Sequence, residues 1–168
     1  MRRAILAAIP VLLLAIILQT SIVSRIVLLS GNADLVLLVV AAWGLQERAR
    51  GAWIWGVVAS LLVGMASGIP WYVYFIGYLS VVGFARLLVH RIWQAPLLAM
   101  FAVTLIGTLE LLMLMFIQRT LFDVSLALGD VFSQIVLPTI LLNLLLAIPI
   151  HALIRDLARR LYPEKATV

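Results

Sequence analysis

Apolar residues along this chain come in long unbroken runs, such as IPVLLLAIIL from Ile9 and LVLLVVAAW from Leu35. Neither run alternates, so neither reads as a strand of a membrane barrel, where apolar and polar residues alternate over about ten positions. Each reads as a helix that is apolar all round, and such a helix is buried in protein or surrounded by lipid. Short polar clusters divide the runs. Ser30-Gly31-Asn32, Glu47 to Gly51, Ser67-Gly68-Ile69-Pro70 and His90 to Pro96 are turn or loop signals. Gln118 to Asp130 is the longest polar interval. The division predicts six helices, over residues 4–23, 33–46, 52–66, 71–88, 97–117 and 131–154. Pro10, Pro138 and Pro149 fall inside them or at their ends. A crossing needs about 20 apolar residues, with a range of about 17 to 25. The second segment is short for that, so it is expected to start inside the membrane boundary or to thin the bilayer locally.

Composition turns these helices into membrane spans. Of the 168 residues, 65% are hydrophobic and 11% charged, and mean hydropathy is +1.22. A water-soluble domain is nearer half apolar and a quarter charged. The expected fold is therefore an all-α integral membrane protein, one six-helix bundle covering residues 1–168, with no soluble domain. Arg2-Arg3 and the apolar run behind it imitate a leader. The run is too long and no small-x-small cleavage site follows, so it is expected to be the first anchor. Cysteine is absent, which removes disulfides, thiolate metal ligands and cysteine nucleophiles.

The net charge of +5 gains meaning from its placement. Cytoplasmic loops carry an excess of Lys and Arg. With both termini inside, the inner segments hold Arg2, Arg3, Arg48, Arg50, Arg86, Arg91, Arg155, Arg159, Arg160 and Lys165, while the outer segments hold only Arg25 and Arg119. These account for all 12 basic residues. The pattern predicts six crossings with both ends cytoplasmic, and an inner rim at Arg48, Arg50, Arg86, Arg91, Arg155, Arg159 and Arg160. Such a rim meets anionic lipid heads, at about 1 kcal/mol per residue near the surface, or docks a cytoplasmic partner. It is not the basic face of a nucleic-acid binder. Asp34, Asp123 and Asp130 fall on the outer side. Trp43, Trp53, Trp55, Trp71 and Trp93 lie near segment ends, as an interfacial aromatic belt does.

Few polar residues remain inside the segments. Glu110 is the one acid well inside, just past the middle of the fifth. In hydrocarbon it must be protonated, paired or facing a cavity, and it reads either as a ligand or proton site or partner contact, or as one hydrogen-bonding group within the bundle. Asn143 is expected to fix the packing of the last helix through a bond to a neighbour, worth about 0.6 to 2 kcal/mol. Gln19, Thr20 and Ser21 are placed to serve the first helix in the same way. Gly56, Ser60 and Gly64 recur every fourth residue, and Gly77, Ser80 and Gly83 lie close together, so both sets permit close helix approach, inside the bundle or against a partner. No Gly-rich phosphate loop, no His-Glu metal spacing and no nucleophile with a base is present. His90 and His151 fall near cytoplasmic ends. The reading is a non-enzyme without cofactor or metal.

Three stretches carry a resemblance: LQTSIVSRI (Leu18 to Ile26) with ADLVLLVVAAWGL soon after, LLVGMASGIPWYVYFIGYL (Leu61 to Leu79), and PTILLNLLLAIPIHALIRDLARRL (Pro138 to Leu161). In order and spacing the chain resembles the rod shape-determining protein MreD family of bacteria. One position departs from that family. An Asp is common there three residues before the hairpin Ser-Gly, and here that residue is Gly64. The resemblance implies a multi-pass protein of the bacterial inner membrane in the cell-elongation machinery. It implies a scaffold that binds MreC and, through it, supports a peptidoglycan glycosyltransferase and a class-B penicillin-binding protein, coordinated with the MreB filament. It also implies a fold similar to the substrate-binding subunit of energy-coupling-factor transporters, and hence an alternative role in binding a vitamin or another small molecule. For the scaffold, Glu110, Asn143, Gln19, Gly56, Ser60, Gly64, Gly68 and Pro70 are the packing or interface candidates. For the alternative, Glu110, Trp71, Tyr72, Tyr74 and the 118–130 interval are the lining candidates.

Overall fold

The structure is a computed structural model that describes residues 2–22, 28–47, 51–89, 95–122, 129 and 132–162. These residues are all-helical apart from turns. The helices are α1 (Arg2–Ser21), α2 (Leu35–Gly44), α3 (Ala52–Ala66), α4 (Trp71–Val89), α5 (Pro96–Phe122) and α6 (Leu137–Leu161), the last entered through a π-helical turn, Phe132–Val136. Three helical stretches are long and apolar enough to cross a membrane: Trp71–Val89, Pro96–Leu121 and Phe132–Leu161. Leu6–Ser21, Leu35–Gly44 and Ala52–Ala66 are apolar but shorter.

The α3 boundaries coincide with the expected segment, because Gly51 takes a left-handed φ of 84° before it and Ser67 is extended after it. The expected ends of the fifth and sixth segments fall short. Gln118 to Phe122, expected as loop, continue α5, and Thr120 turns its hydroxyl back onto the Phe116 carbonyl at 2.9 Å. α6 runs on past Ile154 through Arg155, Arg159 and Arg160, long polar side chains with good helix propensity. Pro138 sits in the first turn of α6, where its missing N–H is harmless, and Pro149 lies inside.

α2 is the axis of the molecule. It has ten residues, all buried, and it packs against each of the other five helices. A run of LVLLVVAAWG has no polar face to leave outside, so burial on all sides is the arrangement its sequence permits. At 1.5 Å per residue α2 is about 15 Å long, half the hydrocarbon thickness of a bilayer. The other helices turn apolar faces outward, with Leu6 73%, Leu121 71% and Leu145 70% exposed.

Hydrogen bonds and ring contacts fix which helix ends lie together. Arg86, late in α4, donates to the Gly44 and Gln46 carbonyls at the C-terminal end of α2, and Tyr162 lies against Trp43 at a ring separation of 6.4 Å. At the opposite end, Tyr72 at the start of α4 donates to Gln118 near the end of α5, and Ser30 N–H donates to the Gln134 carbonyl before α6. Successive helices thus run in alternating directions. Arg86, Arg155, Arg159 and Arg160 gather toward one end and Arg119 stands at the other. Arg48, Arg50 and Arg91 lie outside the described residues, as do Trp93 and His90.

Two tryptophans depart from the expected belt. Trp43 and Trp55 are fully buried and stack at 4.0 Å with 14° between planes, and neither indole N–H has a partner among the described residues. They are core, because α2 is enclosed. Trp53 and Trp71, by contrast, are 52% and 54% exposed. His151 is likewise buried, since it follows Asn143 and Ala147 on the face of α6 turned to the bundle.

Candidate functional site

Chemistry concentrates where α2 begins. Asp34 is its N-cap: the side-chain Oδ1 accepts from the Leu37 N–H at 2.9 Å, and Oδ2 accepts from the Tyr78 hydroxyl at 3.2 Å. An aspartate in this position satisfies an orphan amide of the first turn and sits at the positive end of the helix dipole. Those contacts offset part of the cost of taking a carboxyl group out of water. Gln19, near the end of α1, accepts from the next free amide, Val36 N–H, at 3.4 Å. Asn143 completes the arrangement from α6. Its Oδ1 accepts from the Asp34 N–H at 2.8 Å, and its Nδ2 donates to the Thr108 hydroxyl on α5 at 2.9 Å. Four helices thereby converge on the first turn of α2, which its own cap closes: α1 by Gln19, α4 by Tyr78, α5 by Thr108 through Asn143, and α6 by Asn143.

The expected packing role of Gln19 and Asn143 thus takes a specific form, because both serve one helix start. Asp34, expected on the outer side, lies at the end of α2 away from Arg86 and is enclosed there. Its backbone and side chain face into the bundle because the chain dips inward between Leu28 and Asp34. That stretch begins with a turn in which Leu29 has φ 56°, and Gly31 follows so close to α6 that a Cβ would meet Thr139 N at 2.7 Å. Only glycine fits that approach. An Asp directly before an unbroken apolar run is an N-cap signal, and it was the available clue.

Tyr74 lies one turn before Tyr78 on α4, ring centroids 5.8 Å apart. Its hydroxyl shares a hydrogen bond with Ser67 at 2.8 Å, and Ser67 also accepts from the Ile69 N–H. The hairpin turn that carries Ser67, Gly68 and Pro70 is thus fastened to the same region. Gly68 itself has open space around it, with nothing within 4 Å of an added Cβ.

A cavity of about 530 Å³ opens above this polar cluster. Gln19, Asp34, Tyr74, Thr108, Thr139 and Asn143 line its floor. Its walls are apolar, among them Leu112, Met113 and Phe116 of α5 and Ile135 and Val136 before α6, and Arg119 stands on its rim. The volume lies in the range of about 300 to 1,000 Å³ typical of small-molecule sites. Glu110 does not line it, and neither Trp71 nor Tyr72 does. Glu110 is half-buried on α5, and its Oε2 is enclosed without a hydrogen-bond partner among the described residues.

The small residues are used within the chain. An added Cβ on Gly56 would meet Val82 and Leu79 of α4, one on Gly64 would meet the Trp71 backbone, and Ser60 is buried with its hydroxyl on the Val57 carbonyl. Gly77 is covered by Leu111 of α5. These positions let α3, α4 and α5 approach one another and are not open for a further helix. No cluster of metal-ligating side chains occurs among the described residues. Comparison of the chain with protein-family models, with curated proteins and with solved structures finds no match.

Proposed function

We propose that this chain is a non-enzymatic, MreD-type scaffold of the bacterial cytoplasmic membrane. All six helices cross, both termini are cytoplasmic, and the chain binds MreC within the cell-elongation complex that carries out peptidoglycan synthesis. One observation carries the reading. The stretches behind the resemblance are far apart in sequence, yet Gln19 and Asp34 from the first, Ser67, Tyr74 and Tyr78 from the second and Asn143 from the third meet at the start of α2. The stretches behind the resemblance thus converge on one buried constellation, which supports a reading beyond greasy composition. Because the small-residue faces are occupied by the chain's own helices, the surface offered to MreC is the outward apolar face of the bundle. The test is coexpression: MreC is expected to copurify in detergent, and its absence at every stoichiometry tried would count against the scaffold.

The cavity favours a second reading, the membrane subunit of a small-molecule uptake system. Its size suits such a ligand. A thermal-shift screen against vitamins separates the two, since stabilisation by one compound, saturating with dose, supports uptake over the scaffold.

A further inference from the structure

Asp34, Asn143, Thr108 and Tyr74 of the cavity's polar floor are engaged in contacts of their own. Both Asp34 oxygens hold donors, Asn143 holds the Asp34 amide and Thr108, and the Tyr74 hydroxyl is with Ser67. Gln19, Ser30, Asn32 and Thr139 add polar groups to the lining, but apolar side chains make up most of it, as they do in sites that hold apolar ligands. The walls above are hydrocarbon: Leu112, Met115, Phe116, Ile135 and Val136. Leu109, Met113 and Phe132 both line the cavity and are exposed, at 36%, 58% and 54%, so the opening lies between α5 and the approach to α6. This side of the opening faces the surroundings of the bundle, while exposed Ser30, Asn32 and Arg119 mark its edge at the Arg119 end.

Length decides the class of occupant. Thr108 on the floor and Arg119 on the rim are eleven residues apart on one helix, which is about 16 Å of rise. One leaflet of hydrocarbon is about 15 Å, half of the ~30 Å core. α2, of the same length, fills the depth from the floor to the arginine-rich end, so the floor lies near the bilayer midplane and Arg119 at headgroup level. Arg119 is exposed and forms no ion pair among the described residues.

We infer that the cavity holds one acyl chain of an anionic phospholipid, taken in sideways between α5 and α6, with its phosphate beside Arg119. The inference rests on the membrane location proposed above and not on the cell-elongation role. Guanidinium and phosphate form short, charge-assisted bonds, which supply headgroup preference. The apolar walls supply chain binding.

The full chain, reconstituted in vesicles of equal parts phosphatidylglycerol and phosphatidylcholine with the same acyl chains, is released in mild detergent and weighed by native mass spectrometry. Flotation of the vesicles reports membrane insertion separately. One retained lipid per chain is expected, with phosphatidylglycerol favoured about fivefold, the worth of one arginine at an anionic head. Arg119→Gln is expected to bring the two lipids to parity while one lipid stays bound. Leu112→Trp is expected to abolish retention, and Val136→Trp replaces it if that variant fails to fold. Inorganic phosphate at millimolar concentration is expected to leave the lipid in place. Wild-type chain that floats yet retains no lipid overturns the inference and leaves the membrane location standing. Equal retention of both lipids by wild type, or an unchanged preference in Arg119→Gln, overturns the assignment of Arg119. A chain that does not float overturns the location itself.

Discussion

Replacing Asn143 by Leu probes the constellation most sharply, because leucine keeps much of the volume while removing both hydrogen bonds. The Asp34 N–H and the Thr108 hydroxyl then lose their partner. Interhelical hydrogen bonds in membrane bundles average about 0.6 kcal/mol, up to about 1.7, so the two bonds account for about 1 to 3 kcal/mol. Leaving the Asp34 amide without an acceptor belongs to the same order, about 1 to 3 kcal/mol, and overlaps with the first figure. A loss of about 2 kcal/mol is expected. At about 2 to 4 °C per kcal/mol for a chain of this size, Tm in detergent falls by about 4 to 8 °C. Leu141→Ala is the control, since Leu141 is 59% exposed on the outward face of the same helix, and its Tm is expected to stay within about 2 °C. An Asn143→Leu protein as stable as wild type, or more stable, would refute the reasoning: the bonds would then be replaceable by simple packing.

Asp34→Ala removes the N-cap and the acceptor of Tyr78, and is expected to cost about 1 to 2 kcal/mol by thermal unfolding. Asp34→Asn, itself a good cap, is expected to lose less than half of that. Gly64→Ala places a Cβ 2.8 Å from the Trp71 Cα, which is backbone and cannot swing aside, so a loss of about 1 to 3 kcal/mol is expected in the same assay. Gly68→Ala, with nothing within 4 Å, is expected to be neutral within about 0.5 kcal/mol. Tyr78→Phe removes one bond at 3.2 Å and is expected to cost about 1 kcal/mol at most in wild type and nothing further in Asp34→Ala, a double-mutant cycle that isolates the pair.

Element positions were legible in the sequence wherever punctuation was strong. Gly51 and the Ser67 to Pro70 turn set α3 to the residue, because a left-handed glycine and a proline leave the chain few alternatives. Polar residues misled where they sit on helices: Gln118-Arg119-Thr120 looks like loop by composition, yet all three extend α5. Asn143 and Gln19 stood out as amides in apolar surroundings, which is a physical signal. Their meeting point was not legible, since Asn143 and Asp34 are 109 residues apart and nothing local joins them. Trp43 carried a clue that interfacial statistics hid. It lies in a helix without a polar face, and such a helix at the centre of a bundle encloses its aromatic ring. Glu110 stands out by its isolation, while the acid that organises the cavity, Asp34, reads in sequence only as one of three acids on the outer side, because its burial depends on contacts with residues far along the chain.

The central claim is that six helices cross lipid in alternation, with the arginine-rich end inside the cell. The absence of cysteine makes a direct measurement simple. Single thiols at Glu47 and Asp156, near the arginine-rich end, and at Gly68 and Leu121, near the Arg119 end, are challenged in intact cells with a membrane-impermeant maleimide. Gly68→Cys and Leu121→Cys are expected to label at once, and Glu47→Cys and Asp156→Cys only after permeabilisation. Labelling of Glu47→Cys from outside, or of Leu121→Cys and Asp156→Cys from the same side, would contradict the account.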